Sequence, residues 1–196
     1  KALQHFRIVD LPGVVQWVVS FPTLLNAADI PELRSSGSRG WQDNVNRALQ
    51  AEERSQLELA ISDLGDEARN ASCGWYVYRA ALAFRTGQID YAEVCLERAR
   101  DLSVNLGEEE RTVFETSFLS LKAMPALLAG RLTEAEGLVE KAKATSPSSF
   151  AAWIADSYIT QAAGQIADAT YAANQALKLR SSSQTAKARV AELMLA

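Results

Sequence analysis

A single histidine, His5, and two cysteines, Cys73 and Cys95, are all the soft metal-ligating chemistry this chain carries. One imidazole leaves a histidine-based catalytic triad or a multi-histidine metal site with almost no material. No Cys-x-x-Cys pair, no Gly-x-Gly-x-x-Gly and no phosphate-cradling Gly-x-x-x-x-Gly-Lys-Ser/Thr run occurs, which removes the commonest redox and nucleotide motifs. A net positive charge is lacking as well. The formal charge of -4 and a pI near 5.2 provide no global attraction to phosphate backbones or anionic bilayers, so nucleic acid is not expected as a partner. Long apolar runs are missing too. The longest, Gly13–Phe21, is fenced by Pro12 and Pro22 at about half the ~20 residues a membrane helix requires, so no membrane span is expected.

Carboxylates are plentiful, but Glu93, Glu97, Glu134, Glu136 and Glu140 read as solvated outer faces of helices. No general acid or base is assigned, no cofactor or metal is expected, and the chain reads as not an enzyme. Asn70-Ala-Ser72 fits a glycosylation sequon that chance explains. Lys1 stands where an initiator methionine would, so the numbering is expected to start inside a longer product or after processing. Two unpaired thiols favour a reducing compartment, cytoplasmic over periplasmic.

What is present is internal repetition. Gly87-Gln-Ile-Asp-Tyr-Ala-Glu93, Gly130-Arg-Leu-Thr-Glu-Ala-Glu136 and Gly164-Gln-Ile-Ala-Asp-Ala-Thr170 align. Twelve residues after each glycine lie Ala99, Ala142 and Ala176; seven before lie Ala80, Ala123 and Ser157; eleven before lie Tyr76, Leu119 and Trp153. Two antiparallel helices approach closely only where facing side chains are small, and alanine provides that clearance. Tyr76, Leu96, Leu119, Val139 and Trp153 then fill the gaps between hairpins, while the glycine ends the first helix in the left-handed conformation. Cys73 would start one helix and Cys95 sit midway along its antiparallel neighbour, which disfavours a disulfide.

Small residues around a turn glycine, with alanines five and twelve residues later, resemble the tetratricopeptide repeat in a degenerate form. The units are 73–106, 116–149 and 150–183. Gly130 and Gly164 are 34 residues apart, the family period. Gly87 and Gly130 are 43 apart, and the extra nine residues predict an over-long first helix opening at Gly107-Glu-Glu-Glu110. Pro125, inside that helix, predicts a kink. Where the family often carries leucine and glycine in its first helix, this chain has Arg79-Ala80, Lys122-Ala123 and Asp156-Ser157.

The resemblance implies an all-α fold, a right-handed superhelical stack of antiparallel helical hairpins. Residues 1–40 are read as an N-terminal apolar helical segment and a mobile loop, 41–72 as a degenerate hairpin, 73–183 as three repeats, and 184–196 as a capping helix with Ala186, Val190, Ala191 and Met194 on one stripe. Within the degenerate hairpin, Glu52–Leu64 is expected as the second helix. Basic residues near the second-helix ends, Arg98, Arg100, Lys141, Lys143, Lys178 and Arg180, are expected to complement helix dipoles rather than form a ligand ladder.

First helices line the inner face of such a stack. Its free face is expected to comprise Tyr78, Ala81, Phe84 and Arg85, then Leu121, Met124 and Leu127, then Ile154, Tyr158 and Gln161. Family members that grip a carboxylate terminus use lysine, asparagine and arginine there; the matching places here carry Val77, Ala81, Leu121, Ala151 and Ala155, which departs from that ligand class. The implied function is a non-catalytic scaffold binding a protein segment in an apolar groove, within a bacterial assembly, secretion or envelope protein. The alternatives are the regulatory repeat region of a signalling or transcription protein, and a fragment of an enzyme whose catalytic domain lies elsewhere. A further arrangement stays open: self-association, or coverage of the same residues by the chain's own N-terminal segment.

Overall fold

In the computed structural model, residues 24–33, 40–53, 56–65 and 72–195 are described. Among them lie one 3-10 turn, Ala27–Asp29, and nine α-helices: α1 Gly40–Glu53, α2 Leu57–Leu64, α3 Cys73–Arg85, α4 Ile89–Ser103, α5 Glu108–Leu128, α6 Leu132–Thr145, α7 Phe150–Ala162, α8 Ile166–Leu179 and α9 Gln184–Met194. The described residues are all-α and contain no strand, and no helix is long and apolar enough to cross a membrane.

Three helix starts and three helix ends have a local cause. Ser72, Ser149 and Ser183 cap α3, α7 and α9, their hydroxyls accepting from the N–H groups of Trp75, Ala152 and Ala186 and so satisfying amides that no helical carbonyl reaches. The first helices stop at Gly87, Gly130 and Gly164, with φ of 73°, 74° and 81°. After each glycine the next N–H turns back onto a carbonyl five residues earlier: Gln88 to Ala83, Arg131 to Ala126 and Gln165 to Thr160. A left-handed residue is what lets that closing bond form, and a side chain there would oppose it.

Helices pair as α1/α2, α3/α4, α5/α6 and α7/α8; α5 packs on α3 and α4, α7 packs on α5 and α6, and α9 packs on α8. The small residues allow these approaches. Ala80, Ala92 and Ala99, Ala123, Ala135 and Ala142, and Ser157, Ala169 and Ala176 are each 0% exposed. Eight of the nine extra residues sit in α5, which has 21 residues against 13 in α3 and α7 and passes through Pro125, and the ninth in α4, which has 15 against 14 in α6. Its first turn carries Glu108, Glu109 and Glu110 behind Gly107, a favourable placement for acids. Cys73 and Cys95 are both buried free thiols.

Several expectations change on the structure. The second helix of the first hairpin begins at Leu57, and Glu52 belongs to α1. The buried stripe of α9 is Ala186, Arg189, Val190 and Leu193, while Ala191 and Met194 face solvent. Hydrophobicity alone misplaced that stripe because an arginine occupies its centre. Two of the basic residues tie hairpins together. Arg100 lies over the Phe118 ring at 4.9 Å, and Lys143 lies over Trp153 at 5.1 Å while donating to Asp156 Oδ2 at 2.7 Å. The helical reading of residues 1–23 and most of the loop reading, residues 34–39, lie outside the described residues.

Candidate functional site

The residues expected to form an open inner face are mostly interior. Tyr78, Ala81, Phe84, Leu121, Met124, Leu127, Ile154 and Tyr158 are all buried, and they belong to one core that also takes in Leu24, Leu25 and Ile30. Arg85 and Gln161 are half-buried. The open apolar groove is therefore corrected to a filled one, because an uncovered stripe of that size is unfavourable in water. Polar members of the set are occupied within the chain. The Tyr78 hydroxyl donates to Glu52 Oε2 at 2.8 Å, and Arg85 pairs with the other oxygen of the same buried carboxylate. Gln161 Oε1 accepts from Arg189 Nη2 at 2.7 Å, and the Arg189 guanidinium stacks 3.7 Å from the Tyr158 ring centre.

Residues 24–33 form a strap that reaches the first helix of three successive hairpins, α3, α5 and α7. Near its C-terminal end, the Glu32 carboxylate accepts from the backbone N–H groups of Cys73 and Gly74, the latter at 3.0 Å. At the centre, the Ser117 hydroxyl donates to the Asp29 carbonyl. The Asp29 carboxylate accepts from Asn26 N at 3.1 Å, from the Ser149 hydroxyl at 3.4 Å and from Ala151 N. The three seats are equivalent in the repeat: Gly74, Ser117 and Ala151 each lie 13 residues before a turn glycine.

Their side chains differ for a physical reason. Gly74 and Ala151 are second residues of α3 and α7, where the N–H has no helical acceptor and is available to a carboxylate, with the helix dipole adding to the attraction. Ser117 is the tenth residue of the extended α5. Its N–H lies inside the helical ladder, so a hydroxyl supplies the donor instead. Gly74 also sets the closeness of the strap: a Cβ there would stand 2.3 Å from the Pro31 carbonyl oxygen and 3.0 Å from Ile30 Cγ2 and Trp41 Cη2.

Burial raises the Asp29 carboxyl from its ordinary value of 3.8 to about 6, against the lowering effect of the Asn26, Ala151 and Ser149 hydrogen bonds and the Arg180 charge. Burial also raises Glu32, and the Gly74 N–H opposes it. In Tyr158 burial pushes the phenol up, opposed by the Arg189 charge.

Beside the strap the described residues enclose a recess of about 430 Å³, lined by Leu25 and Ala27 of the strap, Asn46 and Gln50 of α1, and Thr185 and Ala188 of α9 among others. Its walls also include Arg85, Phe150 and Tyr158. No family model, curated protein or solved structure matches the chain. Among the described residues no group of three or more histidine, cysteine, aspartate or glutamate side chains is arranged to hold a metal ion.

Sequence reading passed over Asp29, Glu32, Gly74 and Ser117, and took Ala151 only as a place where a carboxylate-gripping side chain is missing. The repeat alignment held a signal for three of them, small residues at one constant offset. The strap residues carry no repeat signal, and their role emerges only when the chain returns across the array.

Proposed function

We propose that this chain is a protein-interaction scaffold of the tetratricopeptide-like type, its hairpins stacked as a right-handed superhelix whose first helices hold a polypeptide segment along the inner side. One observation carries the reading: a ten-residue segment, 24–33, is hydrogen-bonded at the same repeat position in three successive hairpins. An array that recognises main-chain and carboxylate groups at a regular spacing is built to grip a chain lengthwise. Here the gripped segment is the protein's own, and its Leu24, Leu25 and Ile30 share one buried core with Tyr78, Phe84, Leu121, Met124, Ile154 and Tyr158. The recess between α1, α7 and α9 is the part of the inner side left for a second polypeptide. Its volume falls within the range of ordinary binding clefts, and a bacterial assembly, secretion or envelope protein is the setting that suits such a module.

The test is selection from a random peptide display library on the intact chain, with Ala188→Trp and Gln50→Trp as comparison proteins. Both positions are exposed and line the recess, so the substitutions fill it without touching the core. Enrichment of a common peptide pattern by the wild type, lost in both variants, supports the scaffold. Enrichment no better than on an unrelated helical protein refutes it.

A further inference from the structure

We propose that the strap is a replaceable internal ligand, and that the partner is a protein segment with the strap's chemistry: adjacent large aliphatics followed by two carboxylates three residues apart. This deepens the scaffold reading and rests on it. The strap supplies the template. Leu24, Leu25 and Ile30 enter the core, while Asp29 and Glu32 place their carboxylates on the N-termini of α7 and α3. These attachments are of the kind a separate chain can reproduce: three aliphatic side chains, two helix-terminal carboxylates and one carbonyl on a serine hydroxyl.

Exchange needs a point of entry, and the recess provides one. It opens against Leu25 and Ala27 at the N-terminal end of the strap, so an incoming segment can gain apolar contact there before the strap leaves its seats. The strap competes from within the same chain at an effective concentration on the order of millimolar. A partner is therefore admitted only when it is abundant, or when the strap has been weakened.

A fluorescently labelled synthetic peptide with the sequence of residues 24–33 is titrated onto the full chain and onto full-length Leu25→Asp and Leu24→Ser variants, with circular dichroism recorded alongside. Leu25 is 1% exposed and Leu24 3%, so each substitution weakens the strap while leaving the seats intact; the serine variant is the milder and stands in if the aspartate variant loses its helices. The expected result is binding at least tenfold tighter to a folded strap variant than to wild type. Peptides carrying Asp29→Ala or Glu32→Ala, which leave the N–H groups at the starts of α7 and α3 without an acceptor, are expected to bind that variant at least tenfold more weakly than the parent peptide. Hydrogen exchange on the wild type is expected to show Asp29 and Leu33 amides exchanging at least tenfold faster than those in the middle of α5 and α7.

Three results overturn the proposal: a folded strap variant that binds the peptide no better than wild type, strap amides as protected as those of α5 and α7, or loss of helix in both variants. The last would make the strap inseparable core. None of these bears on peptides selected through the recess, so the two readings fail separately.

Discussion

Gly74→Ala tests the closeness of strap and array, because two physical effects oppose each other at one atom. Alanine is the better helix former, and relief of the glycine backbone entropy would stabilise a helix interior by roughly 0.5–1 kcal/mol. The added methyl carbon, however, would stand 2.3 Å from the Pro31 carbonyl oxygen, with Ile30 Cγ2 and Trp41 Cη2 both at 3.0 Å. The first of these is backbone and cannot swing aside, so the strap must retreat by about 1 Å to reach ordinary contact. Overpacking of this kind costs about 1–3 kcal/mol, and stretching the bond from Gly74 N to Glu32 adds about 1 kcal/mol. The steric side wins, and a net loss of about 1–3 kcal/mol is expected. Urea denaturation gives the magnitude, and hydrogen exchange locates the loosening in residues 24–33. Gly137→Ala is the internal control, since that glycine lies within α6 with nothing within 4 Å of the added carbon; it should stabilise by about 0.5–1 kcal/mol. A Gly74→Ala chain as stable as the wild type, with an unchanged strap, would refute the steric argument.

Gly164→Ala has open space around the new carbon but a φ of +81°, so only backbone strain acts, and a loss of about 1–2 kcal/mol in thermal or urea unfolding is expected. Asp29 makes stability depend on pH with a defined sign. Its folded pKa, raised to about 6 from 3.8, means the contribution is full below pH 3.8 and is lost as pH rises through 6; relative to Asp29→Asn, wild type should gain about 2 kcal/mol between pH 7 and 4.5, and equal pH profiles would count against a buried carboxyl. Lys143→Met removes the partner of the buried Asp156 carboxylate, with an expected cost of about 2–4 kcal/mol read from urea unfolding, whereas Arg131→Met breaks an exposed pair with Glu134 and should cost under about 1 kcal/mol. Ser117→Ala deletes the hydroxyl bond to the Asp29 carbonyl and should cost about 1 kcal/mol, with the exchange of strap amides accelerated before that of α5.

The helices were legible wherever one physical constraint acted at a fixed spacing. Turn glycines need the left-handed region and interhelical alanines need clearance, so Gly87, Gly130 and Gly164 marked the turns and the alanines marked the packed faces. The over-long α5 followed from counting residues between glycines. What sequence could not convey was the return of the chain over its own array. The apolar side chains expected on the open face are buried, and nothing in their periodicity distinguishes a face awaiting a partner from one already covered. Arg189 shows the same limit from the opposite direction. A charged residue reads as exposed, yet this one is 1% exposed, because Ser157 and Gln161 on α7 meet its guanidinium. The strap acids were invisible for a third reason: apart from the Ser149 hydroxyl, the groups that hold them are backbone N–H donors, which every sequence has and none advertises.

The additional length of α5 has a bearing on alignment. Three identical rungs would let a bound chain slip by one repeat and satisfy the next set of donors almost as well. Because the central rung offers an oxygen-borne donor and the outer two offer amides, the ladder differs from a copy of itself displaced by one step. The strap laid along it has one position in which the Glu32 and Asp29 carboxylates meet amides and the Asp29 carbonyl meets the Ser117 hydroxyl, and the longer helix is thereby a keyway that sets where the strap must stop.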